Sequence, residues 1–357
     1  MKKYLLINPF GIGDVLFSTP VAQAIRDADP SNTVSYWCNE RVQELFAQDP
    51  NIDSLFALSR GDLKRIYAES AFEGIRRSWE LFFRIKKARF DVAVDFSLDH
   101  RYSLVTLLAG IKKRVGFDYR GRGGFLTDRI RIDGYQGRHM AEYYLDLLKL
   151  LGIPAPKNVR LRLYVSDTAH AKAQHILSRL NALDANVLIG IAGGAGASWG
   201  KDAGLKQWPA VKFAQLADRI AKELNATVLL LGSESERSIA DVITRMTQAR
   251  LVDLVGKTSI KELAAIMSYL KVLVTNDGGP LHMAAALGVR TVSIFGPVDS
   301  RVYGPYPPGE DHIVIQRDLP CRPCYQNFRM PVCKQERECI SSIETQEVFE
   351  AVRRLCA

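Results

Sequence analysis

The chain has 357 residues, of which 47% are hydrophobic and 24% are charged. This balance excludes a disordered or fibrous chain, and the length fits two domains of about 150–200 residues each. The formal net charge is +9, and most of the excess lies in residues 1–165, which hold 26 basic and 19 acidic residues against 22 and 20 in the remainder. A basic half predicts an anionic partner such as nucleic acid, an acidic glycan or a membrane surface.

The N-terminus has basic residues followed by only four apolar residues, Tyr4 to Ile7, before Asn8 and Pro9. The apolar core of a signal peptide needs about 7–15 residues, and a membrane-spanning helix needs about 18. We therefore expect a first β-strand at this point and a cytoplasmic protein.

Short apolar runs alternate with amphipathic stretches along the whole chain. The predicted strands are Tyr4–Asn8, Thr33–Cys38, Ser54–Leu58, Asp91–Phe96, Val187–Ala192, Thr227–Leu231, Lys271–Thr275 and Thr291–Phe295. The predicted helices are Val15–Ala28, Glu142–Leu151, Ala210–Glu223, Ser235–Gln248, Ile260–Tyr269 and Leu281–Leu287. Strands that alternate with helices form βαβ units, so the sequence predicts an α/β fold of doubly wound parallel sheets.

A domain boundary is predicted at residues 152–158, where GIPAPKN interrupts the helical pattern with two prolines. We expect two Rossmann-like domains, residues 1–158 and 159–357, that face each other across a cleft. The sequence leaves open whether the last helix packs in its own domain or back on the N-terminal one. Ligands of such sheets bind outside the carboxyl ends of the strands, so the candidate residues are sought there.

The turn after the first strand reads NPFGIGD. Gly11 and Gly13 let the backbone turn tightly and leave N–H groups at the next helix for an anion such as phosphate. A dinucleotide fingerprint would place its third glycine at position 16, which is Leu16, and this argues against a NAD-type site. Asp14 is either a helix-capping acid or a general base that takes a proton from a substrate hydroxyl, and both interpretations stay open.

A second glycine-rich loop, Gly193 to Gly196, follows the strand ending at Ala192. Gly194 lies within this loop, and Lys206 precedes a helix that Pro209 opens. This arrangement suits a phosphate or diphosphate. The alternative is a surface loop with a solvated lysine.

A third candidate site is the sequence TNDGGPLH, in which a strand ends and a helix begins at once. Free N–H groups at that helix start would point towards a ligand. Asp277 is alternatively a helix cap, and His282 is alternatively a buried structural histidine. Together with the second loop, this motif predicts a nucleotide diphosphate bound by the C-terminal domain.

The strings NPFGIGDVLFSTP, KQWP, TNDGGPLHMAAALGV and SIFGPVDSRVYGPY resemble glycosyltransferase family 9. The best-known members of that family are the ADP-heptose:lipopolysaccharide heptosyltransferases, and the resemblance runs over nearly the whole chain. It implies a GT-B architecture with an acceptor-binding N-terminal domain and a nucleotide-sugar-binding C-terminal domain. It further implies an inverting, metal-independent transfer of heptose from ADP-heptose to the lipopolysaccharide inner core, with Kdo or heptose as acceptor and with no cofactor.

The resemblance assigns roles where motif positions match. It implies that Asp14 is the base that activates the acceptor hydroxyl and that Lys206 contacts phosphate. The implied donor-binding element comprises Asp277, Gly278, Gly279 and His282. Gly278 stands where the family usually has threonine, so a hydroxyl contact to the diphosphate would be lost or replaced by a backbone N–H. Glu236, just past a strand end, is a weaker candidate for contact with the donor ribose or sugar.

These residues fit a single displacement at an anomeric carbon. Asp14 would act on the acceptor side, while Lys206 and the helix beginning near Gly279 would stabilise the departing diphosphate. A helix N-terminus also favours the charged form of Asp14, which weakens it as a base. Two other functions remain open: a nucleotide-sugar epimerase of the same fold, which needs no acceptor, and a non-catalytic nucleotide-sugar or glycan-binding protein.

Two segments of the N-terminal half are strongly basic. Arg60–Arg89 holds nine basic and four acidic residues, and Lys112–Arg138 holds eight and three. The first also contains Trp79, Phe82 and Phe83. It is either an amphipathic helix with a solvated basic face or a platform for acidic sugars and lipid phosphates at the inner face of the cytoplasmic membrane. The sequence has no zinc finger, RNA-recognition signature or basic heptad array, so we expect no nucleic-acid partner.

Four late cysteines, Cys321, Cys324, Cys333 and Cys339, form the pattern C-x2-C-x8-C-x5-C. Four thiolates could hold a structural zinc, and the leading C-x-x-C suits one. The two later cysteines do not form a second C-x-x-C pair, which favours a loop with reduced or loosely paired cysteines. Cys38 and Cys356 are interpreted as structural.

Overall fold

The structure, a computed structural model, describes residues 1–183 and 187–357, without the side chains of residues 197, 198 and 201. The chain divides into two compact units, Met1–Tyr164 and Val165–Ala357. Each unit contains one six-stranded sheet, and every pair of neighbouring strands in both sheets is parallel. In the described part of the chain, no helix combines the length and the apolar character that crossing a membrane would require.

The first unit alternates strands and helices from its N-terminus. Its elements are β1 (Lys3–Ile7), α1 (Ile12–Phe17), α2 (Thr19–Ala28), β2 (Thr33–Cys38), α3 (Glu40–Phe46), β3 (Ser54–Ala57), α4 (Arg60–Glu69), α5 (Ala71–Ala88), β4 (Val92–Asp95), α6 (His100–Leu108), β5 (Lys113–Tyr119), β6 (Asp128–Ile132) and α7 (Met140–Leu151). The strand order in the sheet is β3-β2-β1-β4-β5-β6. This is the Rossmann order, in which the direction of winding reverses between the first and fourth strands.

The second unit repeats this plan. Its elements are α8 (Asp167–Arg179), β7 (Leu188–Ala192), a 3₁₀ segment (Ala197–Lys206), α9 (Ala210–Leu224), β8 (Thr227–Leu230), a 3₁₀ turn (Glu234–Glu236), α10 (Arg237–Met246), β9 (Leu251–Asp253), α11 (Ile260–Met267), β10 (Val272–Asn276), α12 (Gly279–Ala286), β11 (Arg290–Phe295), α13 (Ser300–Tyr303), β12 (His312–Gln316), α14 (Glu338–Ser341) and α15 (Thr345–Cys356). The order β12-β11-β10-β7-β8-β9 is again the Rossmann order, with the reversal between β7 and β10.

All eight strands predicted from the sequence are present, each with ends within one residue of the prediction. Four strands were not predicted: β5, β6, β9 and β12. Three of these, β6, β9 and β12, are edge strands, and β5 lies beside one. The strand β6 reads DRIRI, with side chains alternately half-buried and exposed up to its last residue. An edge strand faces solvent and carries charged side chains, so it lacks the continuous apolar run of a central parallel strand.

The predicted helix Val15–Ala28 is wrong in one respect, because the structure has two helices, α1 and α2, that meet at Ser18. Pro20 has no N–H to donate to the carbonyl of Leu16, so a continuous helix would lose a hydrogen bond there. The Thr19 hydroxyl donates to that carbonyl instead, at 2.7 Å. The Ser18 hydroxyl likewise donates to the Val15 carbonyl, at 2.6 Å. Side-chain hydroxyls thus complete the end of α1.

The C-terminal helix α15 packs in the core of the second unit. Its buried side chains Phe349 and Val352 belong to the same apolar cluster as Phe213 of α9 and Val274 of β10. Trp208, just before α9, is also fully buried there and donates its indole N–H to the Ile343 carbonyl at 3.0 Å. The segment before α15 is thereby tied to the sheet of the second unit.

Candidate active site

Each sheet has one place where its winding reverses, and the loops that leave the strands there form the candidate site of that unit. In the first unit these loops follow β1 and β4, and in the second they follow β7 and β10. Loops on the two sides of such a reversal run in opposite directions and open a crevice at the carboxyl edge of the sheet. All three glycine-containing motifs singled out in the sequence lie at these two crevices.

In the second unit, Lys206 and Asp277 are brought together. The Lys206 ammonium lies 2.6 Å from the Asp277 carboxylate, and the two side chains are only 4% and 7% exposed. The ammonium also lies 4.1 Å from the centre of the Trp199 ring. Removing two charges from water is costly, and their pairing offsets that cost. Lys206 is therefore a buried, fixed charge beside the strand end, in contrast to the solvated surface lysine that the sequence also allowed.

Asn276, the last residue of β10, joins this pair to the glycine loop. Its side-chain amide donates to the carbonyls of Gly193 at 2.7 Å and Gly194 at 3.2 Å. Its side-chain oxygen accepts a hydrogen bond from the Trp208 backbone N–H at 3.0 Å. Asn276 is fully buried, and sequence reasoning assigned it no role. The available signal was an amide side chain at the end of an otherwise apolar strand at the winding reversal.

Glu236 lies against the same glycine loop. Its carboxylate accepts hydrogen bonds from the Ser233 backbone N–H at 2.8 Å and the Ser233 hydroxyl at 2.9 Å. A third, longer bond comes from the Gly196 N–H at 3.4 Å. A Cβ at Gly194 would overlap this carboxylate, so only glycine allows the loop to approach Glu236 so closely. Gly194, predicted to belong to a phosphate-binding loop, and Glu236, predicted to contact the donor ribose or sugar, are therefore direct neighbours.

Helix α12 begins at Gly279, two residues after Asp277 of the buried ion pair, with Gly278 as its N-cap residue. Gly278 has φ 175°, an extended conformation that any residue adopts. A Cβ there would lie 3.5 Å from the Ala195 carbonyl, an ordinary contact. The backbone thus does not require glycine where the family usually has threonine. His282 lies one turn into α12 and is buried, which places it in the helix immediately behind the strand end.

In the first unit, Asp14 lies in the first turn of α1, and its side chain caps the start of that helix. Its carboxylate accepts a hydrogen bond from the Gly11 N–H at 3.2 Å, and the Asn8 side-chain amide donates to the Asp14 carbonyl at 2.8 Å. Gly11 has φ −69°, so the left-handed conformation expected for a tight glycine turn is absent at this residue. Gly13 lies in the first turn of α1. The capping interpretation of Asp14 is therefore directly visible.

Asp95, at the carboxyl end of β4, is a site residue that sequence reasoning missed. It pairs in register with Ile7 of β1 and is 5% exposed. Burial raises the pKa of its carboxyl group to about 7, although the Ser97 backbone N–H donates to it at 2.8 Å. The signal in the sequence was a carboxylate closing an otherwise apolar strand beside the winding reversal. A group with a pKa near neutrality is suited to exchanging protons.

The charges of Asp14 and Asp95 both affect the pKa of one neighbour, the buried Tyr135. Burial raises the pKa of the Tyr135 hydroxyl well above its usual value, and the charges of Asp14 and Asp95 both add to that shift. The two carboxyl groups thus belong to one electrostatic neighbourhood at the carboxyl edge of the first sheet. This neighbourhood combines an Asp14 that accepts a hydrogen bond from Gly11 with a desolvated Asp95.

The cysteine-rich segment holds thiols and no disulfide, since all six cysteines of the chain are free. The Cys324 thiol lies 2.9 Å from the Cys321 carbonyl. Burial, together with the other three late cysteines, raises the pKa of Cys324 to about 11. Across residues 1–183 and 187–357, the histidine, cysteine and carboxylate side chains form no group of three or more that could hold a metal ion.

Comparison with known proteins gives the class of the chain. The model of the family described as glycosyltransferase family 9 (heptosyltransferase) matches residues 78–331. The chain belongs to this family, and the prediction of a glycosyltransferase is confirmed.

Curated relatives agree over most of the chain. Lipopolysaccharide heptosyltransferase 2 of Escherichia coli K12 is 26% identical over 83% of this chain and 83% of its own. Lipopolysaccharide heptosyltransferase 1 of Pseudomonas aeruginosa is 24% identical over 90% of this chain and 86% of its own.

Solved structures agree on the fold. The family 9 glycosyltransferase from Veillonella parvula superposes with a TM-score of 0.84 at 24% identity, covering 99% of this chain and 97% of that one. ADP-heptose lipopolysaccharide heptosyltransferase II of E. coli gives a TM-score of 0.76 at 22% identity, covering 99% and 98%. The predicted fold class, an α/β protein with two Rossmann-like parallel sheets of the GT-B type, is confirmed.

Proposed function

We propose that this chain transfers heptose from ADP-heptose to the lipopolysaccharide inner core, with Kdo or a heptose as the acceptor sugar. The observation that carries the proposal is the family match over residues 78–331, together with relatives named lipopolysaccharide heptosyltransferases along most of the chain. The acceptor is lipid-linked, so the enzyme would work in the cytoplasm at the inner face of the cytoplasmic membrane.

The donor would bind at the crevice of the second unit. The diphosphate would lie at the N-terminus of α12, next to Gly278 and Gly279, where unpaired N–H groups and the helix dipole favour an anion. Lys206 lies beside this position with its charge fixed by Asp277 at 2.6 Å. A fixed cation and backbone N–H groups stabilise a leaving diphosphate without a metal ion. Glu236, held under the glycine loop, would face the donor ribose or sugar.

The acceptor would bind at the crevice of the first unit. The acceptor hydroxyl oxygen attacks the anomeric carbon, and the bond from that carbon to the diphosphate oxygen breaks. ADP leaves with the electron pair of that bond, and Asp14 takes the hydroxyl proton. The displacement inverts the anomeric configuration. The hydrogen bond from Gly11 makes Asp14 a weaker base, while it also fixes the carboxylate in place.

The test is ADP release from ADP-heptose, with and without a Kdo–lipid A acceptor, in buffer that contains a chelator. Release that needs acceptor and survives the chelator is expected. Consumption of ADP-heptose without acceptor would instead support an epimerase. Donor binding with no turnover under either condition would support a non-catalytic sugar-nucleotide-binding protein and would overturn the proposal.

A matched pair of variants tests the base. Asp14→Asn keeps the size of the side chain and removes its proton affinity, so turnover should fall about 10²–10⁴-fold with donor affinity unchanged. Asp27→Asn, an exposed position on α2, should leave both unchanged. Equal loss of donor affinity and turnover in Asp14→Asn would show that Asp14 only supports the local structure.

A further inference from the structure

Helix α5 carries two apolar faces, and the unit covers only one of them. Leu81 and Ile85 are buried in the core cluster that also holds Phe56 of β3. A second row follows at spacings of three, four and four residues, which places its members on one side of a helix. This row comprises Phe72, Ile75, Trp79 and Phe83, which are 76%, 51%, 56% and 58% exposed. At 100° per residue the row lies nearly opposite the buried face.

The exposed row is part of a continuous aromatic surface. The rings of Trp79 and Phe83 stack with centres 5.6 Å apart, and the half-buried Phe82 lies 5.5 Å from Phe83. Trp79 also lies 6.0 Å from Phe82, so these three rings form one cluster. Single exposed apolar side chains are ordinary on a protein surface, whereas a contiguous row of this kind marks an interaction site.

Cations border the aromatic surface. Arg76 is held by Glu73 at 2.6 Å and by Glu80 at 3.3 Å. Lys86 and Lys87 are exposed near the end of α5, and within the described ranges they form no ion pair with a carboxylate. Lys86 lies 5.8 Å from the centre of the Phe82 ring, at the end of the exposed row. Lysines without an ion-pair partner therefore lie beside apolar rings that are exposed to solvent.

Charge decides which partner fits this surface. Arg60–Arg89 holds nine basic and four acidic residues. A two-fold dimer through this face would place the same positive segment against itself, and like charges in contact repel. A bilayer with anionic headgroups offers the opposite charge to the lysines and an apolar layer to the rings. Tryptophan and phenylalanine are suited to that boundary.

We propose that the exposed face of α5 docks on an anionic lipid bilayer with α5 lying in the plane of the headgroups. Trp79 and Phe83 enter the boundary between headgroups and acyl chains, and the lysines contact lipid phosphates. The inference deepens the proposed function, and it rests on that function only for the statement that docking brings the enzyme to a lipid-linked acceptor.

The first experiment is sedimentation of the full chain with vesicles of phosphatidylcholine, alone or with about one third phosphatidylglycerol. The double variant Trp79→Gln/Phe83→Gln removes two exposed rings and keeps good helix-forming residues. The matched control is Val211→Gln/Met246→Gln, two exposed apolar positions on helices of the second unit.

Binding of the unchanged chain is expected to need the anionic lipid. The double variant should lose at least about tenfold in partition coefficient, since each ring would enter the bilayer boundary. Lys86→Glu/Lys87→Glu should weaken binding and reduce its salt dependence, whereas the control should bind like the unchanged chain. Absence of binding to anionic vesicles, or equal binding by double variant and control, would overturn the proposal. A dimer that only the double variant dissociates would assign the face to a second copy and overturn it too.

Transfer assays separate docking from chemistry. With an acceptor stripped of its acyl chains, the double variant should turn over like the unchanged chain. With the same acceptor embedded in anionic vesicles it should be slower by a factor similar to its loss in partitioning. If the unchanged chain transfers no sugar to either acceptor while its vesicle binding shows the expected variant pattern, the proposed function fails and the docking surface stands.

Discussion

Replacing Asp95 by asparagine isolates the cost of burying one carboxyl group in the first sheet. Asp95 is 5% exposed at the end of β4, and it accepts a hydrogen bond from the Ser97 N–H at 2.8 Å. Asparagine has the same shape and keeps a carbonyl oxygen for that bond. The substitution therefore removes the titration while the packing and the hydrogen bond are retained.

The magnitude follows from the pKa of Asp95, which burial raises from 3.8 to about 7. Between these two values the unfolded chain has released the proton and the folded chain still holds it, so the free energy of unfolding falls as the pH rises. A shift of about three units at 1.36 kcal/mol each amounts to about 4 kcal/mol, all of which is lost above about pH 7. The asparagine variant carries no such loss. Its stability relative to the unchanged chain should therefore rise by about 4 kcal/mol from about pH 4 to about pH 8.

The assay is hydrogen-exchange mass spectrometry in rising urea at both pH values, using peptides from β1 and β4. These peptides report on the first unit alone, which avoids assuming that both units unfold together. Asp27→Asn, an exposed aspartate on α2, serves as the control and should show no such change with pH. An Asp95→Asn difference that is the same at both pH values would refute the reasoning, because the carboxyl group would then titrate alike in the folded and unfolded chains.

Two more substitutions probe the site of the second unit. Lys206→Met leaves the buried Asp277 carboxylate without its cation, so the free energy of unfolding of the second unit should fall by about 3–5 kcal/mol in a denaturation assay. Combining Lys206→Met with Asp277→Asn should recover part of that stability. No recovery would contradict the ion-pair argument. Gly194→Ala should displace the Glu236 carboxylate from its hydrogen bonds with Ser233, because the added methyl overlaps it, and lower the stability by up to about 1 kcal/mol. Adding Glu236→Ala should relieve that loss, and strictly additive effects of the two changes would show that they do not touch.

The central strands and the glycine-rich strand ends could be predicted from the sequence because both are local features. A short run of three or four consecutive apolar residues bounded by turn signals indicates a strand buried on both faces, as in YLLI of β1 or VLV of β10. Strands such as β6 and β12 escaped prediction because each lies at a sheet edge with most of its side chains only partly buried, and charged or polar residues flank or interrupt their short apolar runs. The break between α1 and α2 could have been predicted from the sequence, since Pro20 lies at that point.

The residues of the candidate site also fall into two groups, those identified from the sequence and those that only the structure revealed. Asp14, Lys206, Asp277 and the glycines were identified from motif and spacing, since each follows a strand end. Asp95 was not, because an aspartate at the end of a strand becomes unusual only when the strands on both sides bury it. The same applies to Lys206, whose sequence context allowed a solvated side chain and whose burial depends on Asp277 and Trp199.

The sequence by itself determined the alternation of strands and helices, the family, and the residues at the carboxyl ends of the strands, because each is written in a short stretch of chain. Only the tertiary structure decided which charges are paired, which carboxyl group is desolvated, and which apolar face of α5 stays uncovered. Pairing, desolvation and exposure all depend on what surrounds a side chain, and those surroundings come from segments far apart in the sequence.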